Sequence, residues 1–140
     1  MITPNTTTYA AITIGPIYDA ITMTSTPAGL WAASYLFSHI SRRLCELIDC
    51  EGLISAKEDI IMPYFSADEQ KIDGIGRYPD RIIFKPKDEE TVLDNLEDVF
   101  SKIAKEIASV FDGEHEDWFK QYLQLHALCF QSESNAILDL

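Results

Sequence analysis

Histidines, cysteines and paired carboxylates carry most protein chemistry, and in this 140-residue sequence their spacing supports little of it. His39, His115 and His126 fall in three separate segments, without the HxxxH or HExxH spacing that sets two imidazoles on one helical face. They read as structural or surface residues. Ser38 and His39 are sequence neighbours in a helical pattern and so diverge, which is wrong for a nucleophile and its base. Cys45, Cys50 and Cys129 form neither a CxxC pair nor an even framework, so buried thiols are expected rather than zinc or disulfides. Gly74-Ile75-Gly76 lacks the third glycine of a dinucleotide fingerprint and precedes a strand, and no Walker loop with its GK[ST] occurs.

One junction keeps a chemical role open. A loop of small residues from Gly15 to Thr26 leads to a helix start at Thr26-Pro27-Ala28-Gly29, with Thr26 as N-cap and Pro27 at the first helical position. A helix N-terminus presents free N–H groups and a positive dipole end, and Ala28 and Gly29 add no bulk to keep a ligand off the backbone. The same small residues would equally permit close packing of another element. Asp19, alone in an uncharged stretch, suits either a specific partner or a turn cap.

The elements that would position this corner follow from periodicity. Tyr9-Ala10-Ala11-Ile12-Thr13-Ile14 predicts a central strand bounded by Gly15-Pro16. A helix runs from Thr26 to about Asp49, with Leu36, Ile40, Leu44 and Leu47 on one face. Its first turns, Leu30 to Phe37, are apolar all round and predict burial on several sides. Asp59 to Phe65 predicts a second strand, placed by Pro63 at an edge or bulge, and Arg81 to Phe84 a third. A helix from about Glu89 to Phe111 shows a stripe from Val92 to Phe111. A last helix, about Glu116 to Phe130, is read from Trp118, Tyr122, Leu125 and Cys129. The order β-α-β-β-α predicts an α+β, ferredoxin-like sandwich lacking its fourth strand, with an extra C-terminal helix. Residues 1–114 form that domain, and 115–140 a helical extension leading to further chain.

Charge narrows the function. The net charge is −12, with eleven acidic residues between Asp88 and Asp117 against Lys102 and Lys105, so the chain alone is a poor nucleic-acid binder. Before Arg42 the only charged side chain is Asp19, which predicts that the first forty residues are buried or line a pocket. No apolar run is long enough to span a bilayer and the N-terminus lacks a secretory pattern, so a cytoplasmic address and no membrane partner are expected.

Ile12-Thr13-Ile14-Gly15-Pro16-Ile17, followed by Leu30-Trp31-Ala32-Ala33-Ser34-Tyr35-Leu36-Phe37-Ser38, resembles the IGPVQ…DLWAGSYLLS signature of the large subunit of type III-B (Cmr-type) CRISPR effector complexes. Gly76-Arg77-Tyr78-Pro79-Asp80-Arg81-Ile82 is similar to that family's G-x-x-P-N-R segment entering a strand. The resemblance spans residues 9 to 130 and implies the first palm domain of that subunit, a ferredoxin-type fold. In the family two palms bind nucleotides between them, and target RNA switches on second-messenger synthesis from ATP, or from ATP with S-adenosylmethionine, in antiviral defence. The second palm carries a GGDD motif whose aspartates hold divalent metal (Mg or Mn). No GGDD occurs here, so this chain would supply half a nucleotide site and be inactive alone.

The resemblance implies a pocket lined by Gly15, Pro16 and Ile17 and by residues from Ser25 to Tyr35, among them Ser25, Thr26, Gly29, Ser34 and Tyr35. Where the family has R-K-T-R-D before Leu-Trp, this chain has Ser25-Thr26-Pro27-Ala28-Gly29, so phosphate-pairing side chains are missing from the loop. Asp19, Asp68 or Glu69 would suit the sulfonium or ammonium of S-adenosylmethionine better than a phosphate. Implied partners are the other Cmr-type subunits and the rest of its own polypeptide, with guide and target RNA met indirectly through the complex. The abrupt C-terminal end fits a piece of a longer protein. The competing expectation is a free-standing, non-enzymatic ferredoxin-like regulatory or adaptor module.

Overall fold

The centre of the sheet is a ten-residue strand, β1 (Thr6–Gly15), in a computed structural model that describes residues 6–63, 78–111 and 116–133. It pairs antiparallel with β3 (Arg81–Phe84) on one side and β4 (Gln124–Glu133) on the other. The short β2 (Ile60–Met62) lies outside β3, so the sheet order is β2-β3-β1-β4. The helices are α1 (Ile17–Thr22), α2 (Pro27–Cys50), α3 (Val92–Phe111) and α4 (Glu116–Tyr122). Two interleaved units, β1-α2-β2 and β3-α3-β4, make the α+β ferredoxin-like arrangement.

Period-two alternation sorts the sheet into two faces. Ala10, Ile12 and Ile14 of β1 and Ile82 and Phe84 of β3 are buried under the helices. The register sets Ala10 beside Phe84 and Ile12 beside Ile82, so these side chains form one layer. From above, α2 contributes Ile40, Leu44 and Ile48, and α3 contributes Leu96, Val99 and Ile103. Each such side chain is worth about 1.5–3 kcal/mol when withdrawn from water. Helix α2 ends where Gly52 adopts φ +74°; its N–H reaches the Asp49 carbonyl and the Leu53 N–H the Ile48 carbonyl. That paired closure satisfies carbonyls the helix would otherwise leave open.

The ferredoxin-like class stands, and α4 is the additional helix near the C-terminus. The fourth strand, expected to be missing, is present. Residues 124–133, of which 124–130 carried the end of the expected last helix, form β4 and pair with β1 along its whole length, from Thr6 opposite Glu133 to Gly15 opposite Gln124. The sheet therefore does not divide at residue 114. The expected helix is present as far as Tyr122 in α4. Beyond it the Leu125 and Cys129 spacing only imitates a helix, because a full-length neighbour in β1 offers a ladder that local spacing cannot reveal. The small-residue loop after Gly15 contains a helical turn, α1. The first turns of α2 are not buried: Leu30 is exposed and Trp31 is 54% exposed. Trp31 borders an open groove against the end of α3 and does not pack into it.

Candidate functional site

The corner after β1 is built from short local bonds. Pro16 caps α1 without a side-chain hydrogen bond, and Ile17 packs against the core while Asp19 faces out. The Asp19 carbonyl accepts from the Thr22 hydroxyl at 3.2 Å and the Met23 N–H at 3.0 Å. At the start of α2, Thr26 Oγ1 accepts from the Gly29 N–H at 3.1 Å and the Thr26 carbonyl accepts from Leu30 at 3.1 Å. Pro27 has no N–H. Of the four N–H positions from 27 to 30, Ala28 alone is left to offer an outside acceptor among the described residues. The corner is thus a weak anion holder by itself. A Cβ on Gly29 would come within 3.2 Å of Thr26 Oγ1, so the glycine keeps room for the cap.

The stretches that carry the resemblance converge at this end of the sheet. The Ile14 N–H donates to the Asp80 carbonyl at 2.9 Å, and the Tyr78 N–H donates to Ser38 Oγ at 3.2 Å. Strand β1, helix α2 and the entry to β3 are thereby tied together. Gly15, Pro16, Ile17, Asp19, Ser25, Thr26 and Gly29 lie around the corner. Ser34 is half-buried on α2, and Asp68 and Glu69 lie outside the described residues.

Tyr35 belongs to a different place. It stacks between Trp31 (centroids 5.2 Å apart) and His39 (6.4 Å), along a groove between antiparallel α2 and α3. The groove encloses about 770 Å³ and its walls include Leu36, Ile40, Ile103, Ile107 and Val110. Arg43 lies at its polar end, forking onto Glu106 at 2.6 and 3.0 Å and pairing with Glu46. The Arg43 hydrogen bonds hold the Glu106 carboxyl below the usual carboxylate range, and Arg43 itself is pushed upward by the same pairing. Burial pushes the Cys45 thiol up to about 12, which removes it from thiolate chemistry. Cys129 is also shifted up by burial. Cys50 is exposed, contrary to the expectation of buried thiols.

Sequence spacing missed a row on the uncovered sheet face. The register places Arg81, Thr13 and His126 side by side on β3, β1 and β4, all exposed, with Gln124 beside Gly15 in the next row. Adjacent strands are about 4.8 Å apart, so Arg81 and His126 flank the Thr13 hydroxyl across about 10 Å. These are cationic or hydrogen-bonding groups next to a corner that lacks them. Only the pairing of β4 with β1 exposes the row, and that pairing was not visible in the pattern. Among the described residues no group of three His, Cys, Asp or Glu side chains could hold a metal ion. No helix among them is long and apolar enough to cross a membrane.

No protein-family model matches the chain, and no curated protein matches it.

Proposed function

We propose that this chain acts as the first palm domain of a type III-B CRISPR large subunit, contributing half of a site for ATP or S-adenosylmethionine in second-messenger synthesis. The observation that carries this reading is the meeting of Ile14, Ser38 and Tyr78–Asp80 at one end of a four-stranded ferredoxin-like sheet. The segments on which the sequence resemblance rests thus frame a single corner.

In this reading the corner receives the adenosyl part over the small side chains of the β1–α2 junction, where Gly15 lies against Gln124 and Gly29 against Thr24 and Thr26. Phosphates lie toward Arg81 and His126 on the open sheet face, since the N-terminus of α2 supplies one amide and no cation. An S-adenosylmethionine sulfonium would instead be drawn toward Asp19. The second palm supplies the acidic motif, its Mg or Mn ion and the bond-making chemistry. The setting is a cytoplasmic effector complex, with the acidic outer face of α3 turned away from guide RNA.

Calorimetric titration of ATP and of S-adenosylmethionine into the polypeptide that holds both palms tests this. Saturable binding of either ligand, weakened at least about tenfold by closing the corner with Gly29→Val, supports it. Binding of neither ligand would leave the second reading, an adaptor module without a ligand, which the uncovered apolar side chains of the sheet favour.

A further inference from the structure

The two edges of the sheet are built in opposite ways. β2 is three residues long, carries a register shift between Ile60 and Met62, and is followed by Pro63, which has no N–H to donate. Short length, a bulge and proline are the devices that stop an edge from recruiting another strand. β4 has none of them. It is ten residues long and pairs with β1 without a shift. From Gln124 to Ser132 it contains no Asp, Glu, Lys or Arg, in a chain whose net charge is −12. Among the described residues nothing pairs with its outer side.

The core is also unfinished there. Inward-facing residues of β1 and β3 such as Ile12 and Ile82 are fully buried, whereas Leu125, Ala127 and Cys129 of β4 are only half-buried. On the opposite face Leu128 is 57% exposed.

We propose that β4 is a self-association edge, and that a second copy of this chain pairs with it antiparallel to form one continuous eight-stranded sheet. A two-fold axis at Leu128 sets Leu128 against its own copy and His126 against Phe130 on the open face. The same axis sets Ala127 against Cys129 on the inner face. Every facing pair lacks like charges, so the self-pairing is complementary on both faces. The rest of each copy is acidic, so two copies approach best at this uncharged strip. Association should therefore tighten as salt screens the remaining repulsion. This inference does not depend on nucleotide binding.

Sedimentation of the 140-residue chain over a range of concentrations and salt is the test. A monomer–dimer equilibrium that strengthens with salt is expected. Leu128→Arg, at an exposed position, should weaken it by at least about tenfold through like charges directly opposed, while Met62→Arg at the guarded edge leaves it unchanged. Amide hydrogen exchange gives a readout independent of any variant's folding: β4 amides should become more protected as protein concentration rises. A monomer at every concentration, a dimer equally sensitive to Met62→Arg, or β4 protection independent of concentration would each overturn the proposal. So would pairing seen only with the extended segment of another protein.

Discussion

Thr26 shows how a single hydroxyl decides what the corner can bind. Because its Oγ1 already accepts the Gly29 N–H, it serves the helix rather than a ligand. Thr26→Ala should cost about 1 kcal/mol in denaturant unfolding, the usual cost of losing an N-cap. The Arg43–Glu106 pair has a defined pH signature. A carboxyl whose folded value lies below its unfolded value of about 4.3 adds stability above that pH and loses it as pH falls through the folded value. Glu106 is 43% exposed, so screening limits the effect to less than about 1 kcal/mol. Glu106→Gln should unfold slightly more easily at pH 7, with the difference from the unaltered protein shrinking as the pH falls below about 4.3, measured by thermal denaturation. The two cysteines of α2 separate by environment: Cys50 should alkylate readily at pH 8, while Cys45 reacts only on unfolding, as timed mass spectrometry would show.

Elements were legible wherever a local signal was strong. Thr26-Pro27 marks the start of α2, Arg81 to Phe84 is strand β3, and the stripe of α3 is buried from Val92 to Ile107. Val110 belongs to the same stripe but is 80% exposed, because there the stripe borders the open end of the α2–α3 groove. β4 was illegible for a physical reason. Gln124 to Glu133 contains no β-branched residue, so its strand state comes from pairing with β1 rather than from intrinsic preference. The Arg81–Thr13–His126 row depends on that pairing and was hidden with it, whereas the corner was visible because caps and small residues are local marks. At the end of α2, Gly52→Ala should cost about 1–2 kcal/mol in unfolding experiments, since φ is positive and a methyl there gains no contact.

For the whole molecule, the two faces of the sheet divide the work. One face and two helices form the core, where Ile103→Ala should cost about 2–5 kcal/mol. The other face keeps Arg81, Thr13 and His126 beside the corner of β1 and α2, and an unguarded strand at one edge. Charge is distributed accordingly: the acidic surface of α3 lies on the helical layer, and Arg81 stands with His126 on the open face. The most direct measurement is the affinity of ATP for the two-palm polypeptide with and without Arg81→Ala, with unfolding temperature as a control on folding. ATP should bind at least about tenfold more weakly to the variant while S-adenosylmethionine is little affected, as loss of one charge-assisted phosphate contact implies. Undiminished ATP binding by Arg81→Ala, or binding of neither ATP nor S-adenosylmethionine by the unaltered protein, would contradict this reading.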